Sequence, residues 1–158
     1  MMSNRYDIAQ AVRTTDLLIG AVLVRGARAP HLVSEAMVQT MEAGSVIVDV
    51  AVDQGGSIET VDHATTHHNP TYEKFGVIHY AVANIPGAVA RTSTLALTNA
   101  TMPYSVQIAN TGGKLDDLIA DPALTSGLNT FAGKMTCQPV AESLGYPYVD
   151  PATLACHC

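Results

Sequence analysis

The residue with the most to offer chemically is Asp53. It closes the apolar run "SVIVDVAVD" at residues 45–53, which another acid, Asp49, also interrupts. A carboxylate at the end of such a run can hold a ligand's polar edge or assist a proton transfer. Gln54, Gly55 and Gly56 follow, and glycines let a ligand come close to the backbone. The same tetrad is also good turn chemistry, with aspartate accepting backbone N–H bonds. Both readings of Asp53 stand: turn former and site residue. His63, His67 and His68 share one loop, and His67 lies four residues after His63. That spacing binds metal on a helix, but Asn69 and Pro70 argue against a helix, so an exposed polar loop is expected. His79 sits inside an apolar run and reads as a packed core histidine. Cys137, Cys156 and Cys158 form neither a disulfide framework nor a zinc spacing, which fits a reducing compartment. The closing "CHC" reads as a tail, and no metal site is expected.

These residues need elements to position them. Three β-branched runs, at 16–24, 45–53 and 77–84, are near-continuous rather than alternating, as strands buried on both faces are. Between the first two lies "SEAMVQTMEAG", with Ser34 as expected N-cap, Glu35 in the first turn and Gly44 as stop. Residues 16–53 therefore read as strand, helix, strand with parallel pairing. A short helix with Ile8, Ala11 and Val12 inward precedes them. Residues 54–76 read as a long irregular connection, which in a compact domain is usually functional. After residue 85 a long helix is expected from about Thr92 to Asn110, with Leu95, Met102, Val106 and Ala109 on one face. Pro103 should kink or break it. A short helix near 114–120, a turn at "DPALTSGLN" and an amphipathic helix near 134–144 closed by Gly145 complete the chain, and "IPGAV" at 85–89 is the best domain boundary. The fold class is α/β, with a parallel sheet followed by a mainly helical segment.

In an open parallel sheet, ligands bind outside the carboxyl ends of the strands. The first run delivers Val22 and Leu23 there, the second Asp53, and the third Ala83 and Asn84 followed by Ile85-Pro86-Gly87. An apolar wall, a carboxylate and a carboxamide would suit a flat, polar-edged ring such as nicotinamide. The plain alternative makes Val22 and Leu23 core and Asn84 a loop residue. The glycine-rich G-x-G-x-x-G turn of a complete dinucleotide site is absent from the sequence.

Bulk properties narrow the class. Apolar residues make up 47% and charged residues 14% of 158, a globular composition. A net charge of -6 and the lack of any basic run argue against nucleic acid or an anionic membrane surface as partner. No leader peptide is visible, and no apolar run approaches the ~20 residues of a membrane span, so a soluble cytoplasmic protein is expected.

The stretches "VDQGG", "HYAVANIPGAV" and "TSTLALTNATMPY", together with "DPALTSGLNTFAGKMT", are long and specific, and the sequence from about Tyr6 to Pro151 resembles the C-terminal part of an alanine dehydrogenase. The wider family includes the pyridine nucleotide transhydrogenases. The resemblance implies a two-domain, homo-oligomeric oxidoreductase that interconverts L-alanine with pyruvate and ammonium using NAD. Residues 1–88 would then be the second half of a Rossmann-type NAD domain, and residues 89–158 the C-terminal helical part of the substrate domain. It further implies that Asp53 is the active-site aspartate. Val22, Leu23, Val50, Ala51 and Val52 would contact the cofactor beside it, and Val82, Ala83, Asn84 and Ile85 would line the nicotinamide side. Asp62 stands where some members carry an arginine in the cofactor loop. The family's substrate-binding arginine and lysine, its catalytic histidine and its glycine-rich loop have no counterpart in these residues. The chain alone is therefore expected to be inactive. A non-catalytic or split subunit that docks with a separate N-terminal chain is the alternative.

Overall fold

The structure, a computed structural model, describes residues 4–24, 26 and 29–155. The closing "CHC" lies outside the described residues. The chain divides into two compact units between Ala88 and Val89, with Gly26 grouped with the second.

The first unit is built on a four-stranded sheet. Helix α1 (Arg5–Arg13) starts where the Asn4 side chain accepts the Asp7 N–H, an N-cap backed by an acid in the first turn. Its Val12 is 1% exposed. Strands β1 (Leu17–Gly20) and β2 (Val46–Asp49) pair in parallel, with helix α2 (Glu35–Val38) between them in sequence. Strand β4 (Val77–Tyr80) pairs in parallel with β2, and β3 (Thr71–Lys74) lies antiparallel on its far side, giving the order β1-β2-β4-β3. The expected strand, helix, strand succession and the α/β class are present.

Several details differ from expectation. The segment 54–76 is not wholly irregular, because it contains β3, joined to β4 by the two-residue turn Phe75-Gly76. Both turn residues have positive φ, 59° and 74°, the geometry of a tight hairpin. The sequence disguises this turn, since phenylalanine is a poor left-handed residue. The strands are four residues long, shorter than the apolar runs, and they are not buried on both faces. Ile47, Asp49, Val77 and His79 point to one buried face, while Ile19 and Ile78 on strands β1 and β4 remain 59% and 38% exposed. Only one face meets the core cluster of Val12, Met37, Val38, Met41 and Ile58, so burial alternates with period two although the sequence does not. Ser34 occupies the N-cap of α2, but its side chain makes no capping bond, and the Glu59 carboxylate accepts the Glu35 N–H at 2.8 Å instead.

The second unit starts with α3 (Ala90–Thr111), a continuous helix of 22 residues that runs through Pro103 without a break. Pro103 removes one backbone donor near the middle of a long ladder, and the turns on either side keep theirs. None of its residues is buried, including those of the expected apolar face. Helix α4 (Leu115–Ile119) follows. The expected turn "DPALTSGLN" forms a helix, α5 (Pro122–Gly127), because Asp121 caps Ala123 N–H and Pro122 suits the first turn. The helix expected from residue 134 begins later, as α6 (Gln138–Leu144). Residues 134–135 instead form strand β6, paired with β5 (Thr130–Phe131). Gly145 ends α6 in the left-handed conformation, as its position requires. Helix α7 (Pro151–Ala155) closes the described chain.

Candidate functional site

The parallel register sets the level at which each strand stops. Gly20 of β1 lies opposite Asp49 of β2, and Val48 of β2 opposite Tyr80 of β4. The three strands therefore end in line, and one group of candidate residues follows each end. After β1, Val22 is half-buried and Leu23 is 70% exposed. After β2, Val50 is exposed, Ala51 buried, Val52 half-buried and Asp53 exposed. After β4, Val82 is buried, Ala83 and Asn84 are exposed and Ile85 is half-buried. The end of β1 is tied to the second group directly, since Val50 N–H donates to Gly20 O at 2.8 Å.

Asp53 occupies a single 3-10 turn, Val52–Gln54, that ends on Gly55 at φ 96° and Gly56 at φ 73°. Two consecutive left-handed residues need glycine, which explains the pair. The turn is shaped by Gln54 N–H and Gly56 N–H, both donating to Ala51 O, and by Gly55 N–H donating to Val52 O. Among the described residues nothing hydrogen-bonds the Asp53 carboxylate. The turn-forming duty belongs to the other acid of the run. Asp49 is fully buried, and its Oδ1 accepts Ala51 N–H at 2.9 Å while its Oδ2 accepts Ser57 N–H at 2.8 Å.

The polar loop beyond the turn is likewise fastened to the sheet. Thr65 N–H donates to Ala81 O at 2.8 Å, extending the line of β4. His67 is exposed, and its Nε2 lies 2.6 Å from Asn84 O. A carbonyl can only accept, so this nitrogen carries the hydrogen, and the ring holds the segment 82–85. His67 was legible only as a loop histidine, because its partner lies 17 residues away and nothing in the spacing marks it.

Asp62 lines a cleft of about 370 Å³ together with Val52, Gly55 and His63. Its carboxylate takes His63 Nδ1 at 2.5 Å and Lys74 Nζ at 3.0 Å. The hydrogen bond from His63, then that from Lys74, holds its pKa below the usual carboxylate range. The negative charge expected of Asp62 in this loop is thus met locally by Lys74. The His63 ring stacks on Tyr72, with centroids 4.4 Å apart, and Tyr72 stacks on His79 at 5.1 Å. His79 is the packed core histidine expected, with no exposed surface. Its Nδ1 lies 2.9 Å from Val77 O and its Nε2 2.8 Å from Thr60 Oγ1. Among the described residues no group of three or more His, Cys, Asp or Glu could hold a metal ion. No described helix is long and apolar enough to cross a membrane.

Comparison with known proteins adds an independent line. The family model described as "Alanine dehydrogenase/PNT, C-terminal domain" matches residues 1–138. The chain is 66% identical over 148 residues to an alanine dehydrogenase of Methanococcus maripaludis, covering 94% of this chain and 39% of that protein. It is 62% identical over 149 residues to the alanine dehydrogenase of Bacillus subtilis, again covering 94% of this chain and 39% of the other. A solved L-alanine dehydrogenase superposes with a TM-score of 0.72 at 54% identity, over 90% of this chain and 38% of that one. A transhydrogenase from Sinorhizobium meliloti superposes with a TM-score of 0.50 at 32% identity, over 58% of this chain and 26% of that one. The chain thus spans about two fifths of the length of its curated relatives. With a mostly parallel sheet whose strand ends stand in line, and a family match across most of its length, the chain belongs to the alanine dehydrogenase and transhydrogenase family.

Proposed function

We propose that the chain carries the nicotinamide side of the site of an NAD-dependent alanine dehydrogenase, which interconverts L-alanine with pyruvate and ammonium. The observation that supports this best is Asp53. It is exposed and unpaired among the described residues, and it is held on a glycine turn at a strand end while Asp49 serves the turn. A free carboxylate after one strand end and an exposed apolar residue, Leu23, after the neighbouring one fit a ring with one polar edge. Bound NAD would supply hydride acceptance at nicotinamide C4. Asp53 would position the ribose and nicotinamide side and assist proton movement as hydride leaves the alanine Cα. Val22, Leu23, Val50, Ala51 and Val52 would line the path of the dinucleotide, and Val82, Ala83, Asn84 and Ile85 would close the nicotinamide side. In this reading residues 1–88 complete an NAD domain of Rossmann type, residues 89–158 return to a substrate domain, and the assembled enzyme is a cytoplasmic homo-oligomer.

The alternative is a non-catalytic or split subunit that docks with a separate N-terminal chain. It is favoured by the exposed Leu17 and Ile19 of β1, the strand at the edge of the sheet. One experiment covers both. The chain is assayed for NADH formation with L-alanine, alone and co-expressed with the N-terminal part of the Bacillus subtilis relative. No turnover alone, and a co-eluting active complex with the partner, is the expected result. Asp53→Asn should abolish that activity while changing stability by less than ~0.5 kcal/mol, as a surface side chain with no partner would. Full activity of Asp53→Asn in the complex would end the assignment of Asp53. Turnover by the lone chain would end the claim that the chain depends on a second part.

A further inference from the structure

We propose that Asp49 is the positioning residue for Asp53: its buried carboxylate fixes the turn on which Asp53 is carried. The inference rests on the reading of Asp53 as a cofactor-side group. A carboxylate with no exposed surface at the end of an apolar strand is costly unless its oxygens are satisfied. Here both are. Oδ1 accepts the N–H of Ala51, two residues on, and Oδ2 accepts the N–H of Ser57, eight residues on. Ser57 Oγ adds a longer contact to Oδ1 at 3.5 Å. The two backbone bonds bracket residues 52–56, which are the 3-10 turn and both left-handed glycines. The bonds inside the turn give it a shape, and Asp49 ties both of its ends to β2.

The surroundings leave room for this carboxylate and little else. Gly20 stands opposite Asp49 in the register. A Cβ at Gly20 would overlap Ser57 Oγ and come within 3.3 Å of Asp49 Oδ1, and a Cβ at Gly56 would come within 3.2 Å of Oδ2. Glycines therefore flank the carboxylate on two sides. Because the Asp53 side chain has no partner among the described residues, its location is set by the backbone of the turn alone. Whatever fixes that backbone fixes Asp53.

The test uses the whole 158-residue chain. Asp49→Asn keeps the shape but replaces one acceptor oxygen with a donor, so one of the two N–H groups loses its bond. Amide hydrogen exchange and NADH affinity are measured well below the melting temperature of both proteins, where their circular dichroism superposes. Leaving one buried donor unpaired should speed exchange at Gly55, Gly56 and Ser57 roughly tenfold relative to Ile47 and Val48, and weaken NADH binding by a similar factor. A merely stabilising role would raise exchange evenly across the sheet and leave the affinity at that temperature unchanged, and either result overturns the proposal. If the parent chain binds no NADH by itself, the affinity is read in its complex with the N-terminal part of the Bacillus subtilis relative; a complex that binds none ends the reading of the site, and the exchange comparison alone then decides whether Asp49 fixes the turn. Should the asparagine variant not fold, Gly20→Ala displaces Ser57, whose Oγ its Cβ would overlap, and so strains the Ser57 N–H bond to Asp49 without altering the carboxylate's charge. The same local rise in exchange is expected of it, and its absence would overturn the proposal.

Discussion

His79 offers the sharpest prediction about what holds the first unit together. Its Nδ1 faces Val77 O, which can only accept, so Nδ1 carries the hydrogen and the neutral ring accepts the Thr60 hydroxyl at Nε2. Thr60 has no exposed surface, and its carbonyl also accepts the Tyr72 hydroxyl at 3.3 Å. Replacing His79 with Asn leaves the Thr60 hydroxyl without its acceptor and removes part of a ring stacked on Tyr72. An unpaired buried hydroxyl together with the lost packing should destabilise the chain by about 2–4 kcal/mol. Burial also holds the His79 pKa below its ordinary value of 6.5. The unfolded chain therefore takes up this proton more readily than the folded one. The contribution is fully present above pH 6.5 and is lost as pH falls from there toward the depressed folded value. One proton sets the limit of that slope, about 1.4 kcal/mol per pH unit. Urea unfolding followed by circular dichroism, from about pH 8 to about pH 5, reads both effects. The difference between the two curves reads the contribution of His79. The variant should be less stable at neutral pH, and the gap should narrow on acidification. Thr60→Val in the His79→Asn background should add less than it does alone, because the two side chains share one bond. A His79→Asn loss below ~0.5 kcal/mol, or two parallel pH curves, would refute the reasoning.

Two further outcomes follow from local geometry. Phe75 holds φ 59° in the hairpin turn between β3 and β4, so Phe75→Asn should raise stability by ~0.5–1 kcal/mol, less whatever the exposed contact with Lys74 contributes, and a lower melting temperature would contradict it. Glu59 caps the first N–H of α2 from a distant segment, so Glu59→Ala should lower stability by ~0.5–1 kcal/mol in urea unfolding, whereas Ser34→Ala should change it little.

The strand, helix, strand order of residues 16–53, the parallel pairing, the long helix after residue 90 and the packed state of His79 were all legible from local patterns. Each depends on apolar runs and end residues that lie next to one another in sequence. The family was legible for a related reason, since "VDQGG" and "HYAVANIPGAV" are contiguous stretches. What stayed hidden depends on where the chain returns. Strand β3 was hidden because Phe75-Gly76 lacks the asparagine or aspartate that usually announces a tight hairpin, and because β3 is stabilised by β4 rather than by its own sequence. Ser34 looked like the cap of α2, yet Glu59 does that work, brought in by the bridge between Val33 and Ile58. Residues 134–135 continued a helical pattern, but pairing with 130–131 made them a strand.

The division is clearest at the two acids of "SVIVDVAVDQGG". Sequence alone determined that two carboxylates stand four residues apart at the end of an apolar run, with glycines that permit left-handed backbone. It could not determine which acid would serve the turn, since either has the right chemistry. Tertiary structure decided that. The sheet buries Asp49 opposite Gly20, the chain returns Ser57 N–H to it from eight residues on, and a buried carboxylate takes the available donors. Asp53 is left exposed at the strand end, free to meet something other than its own backbone.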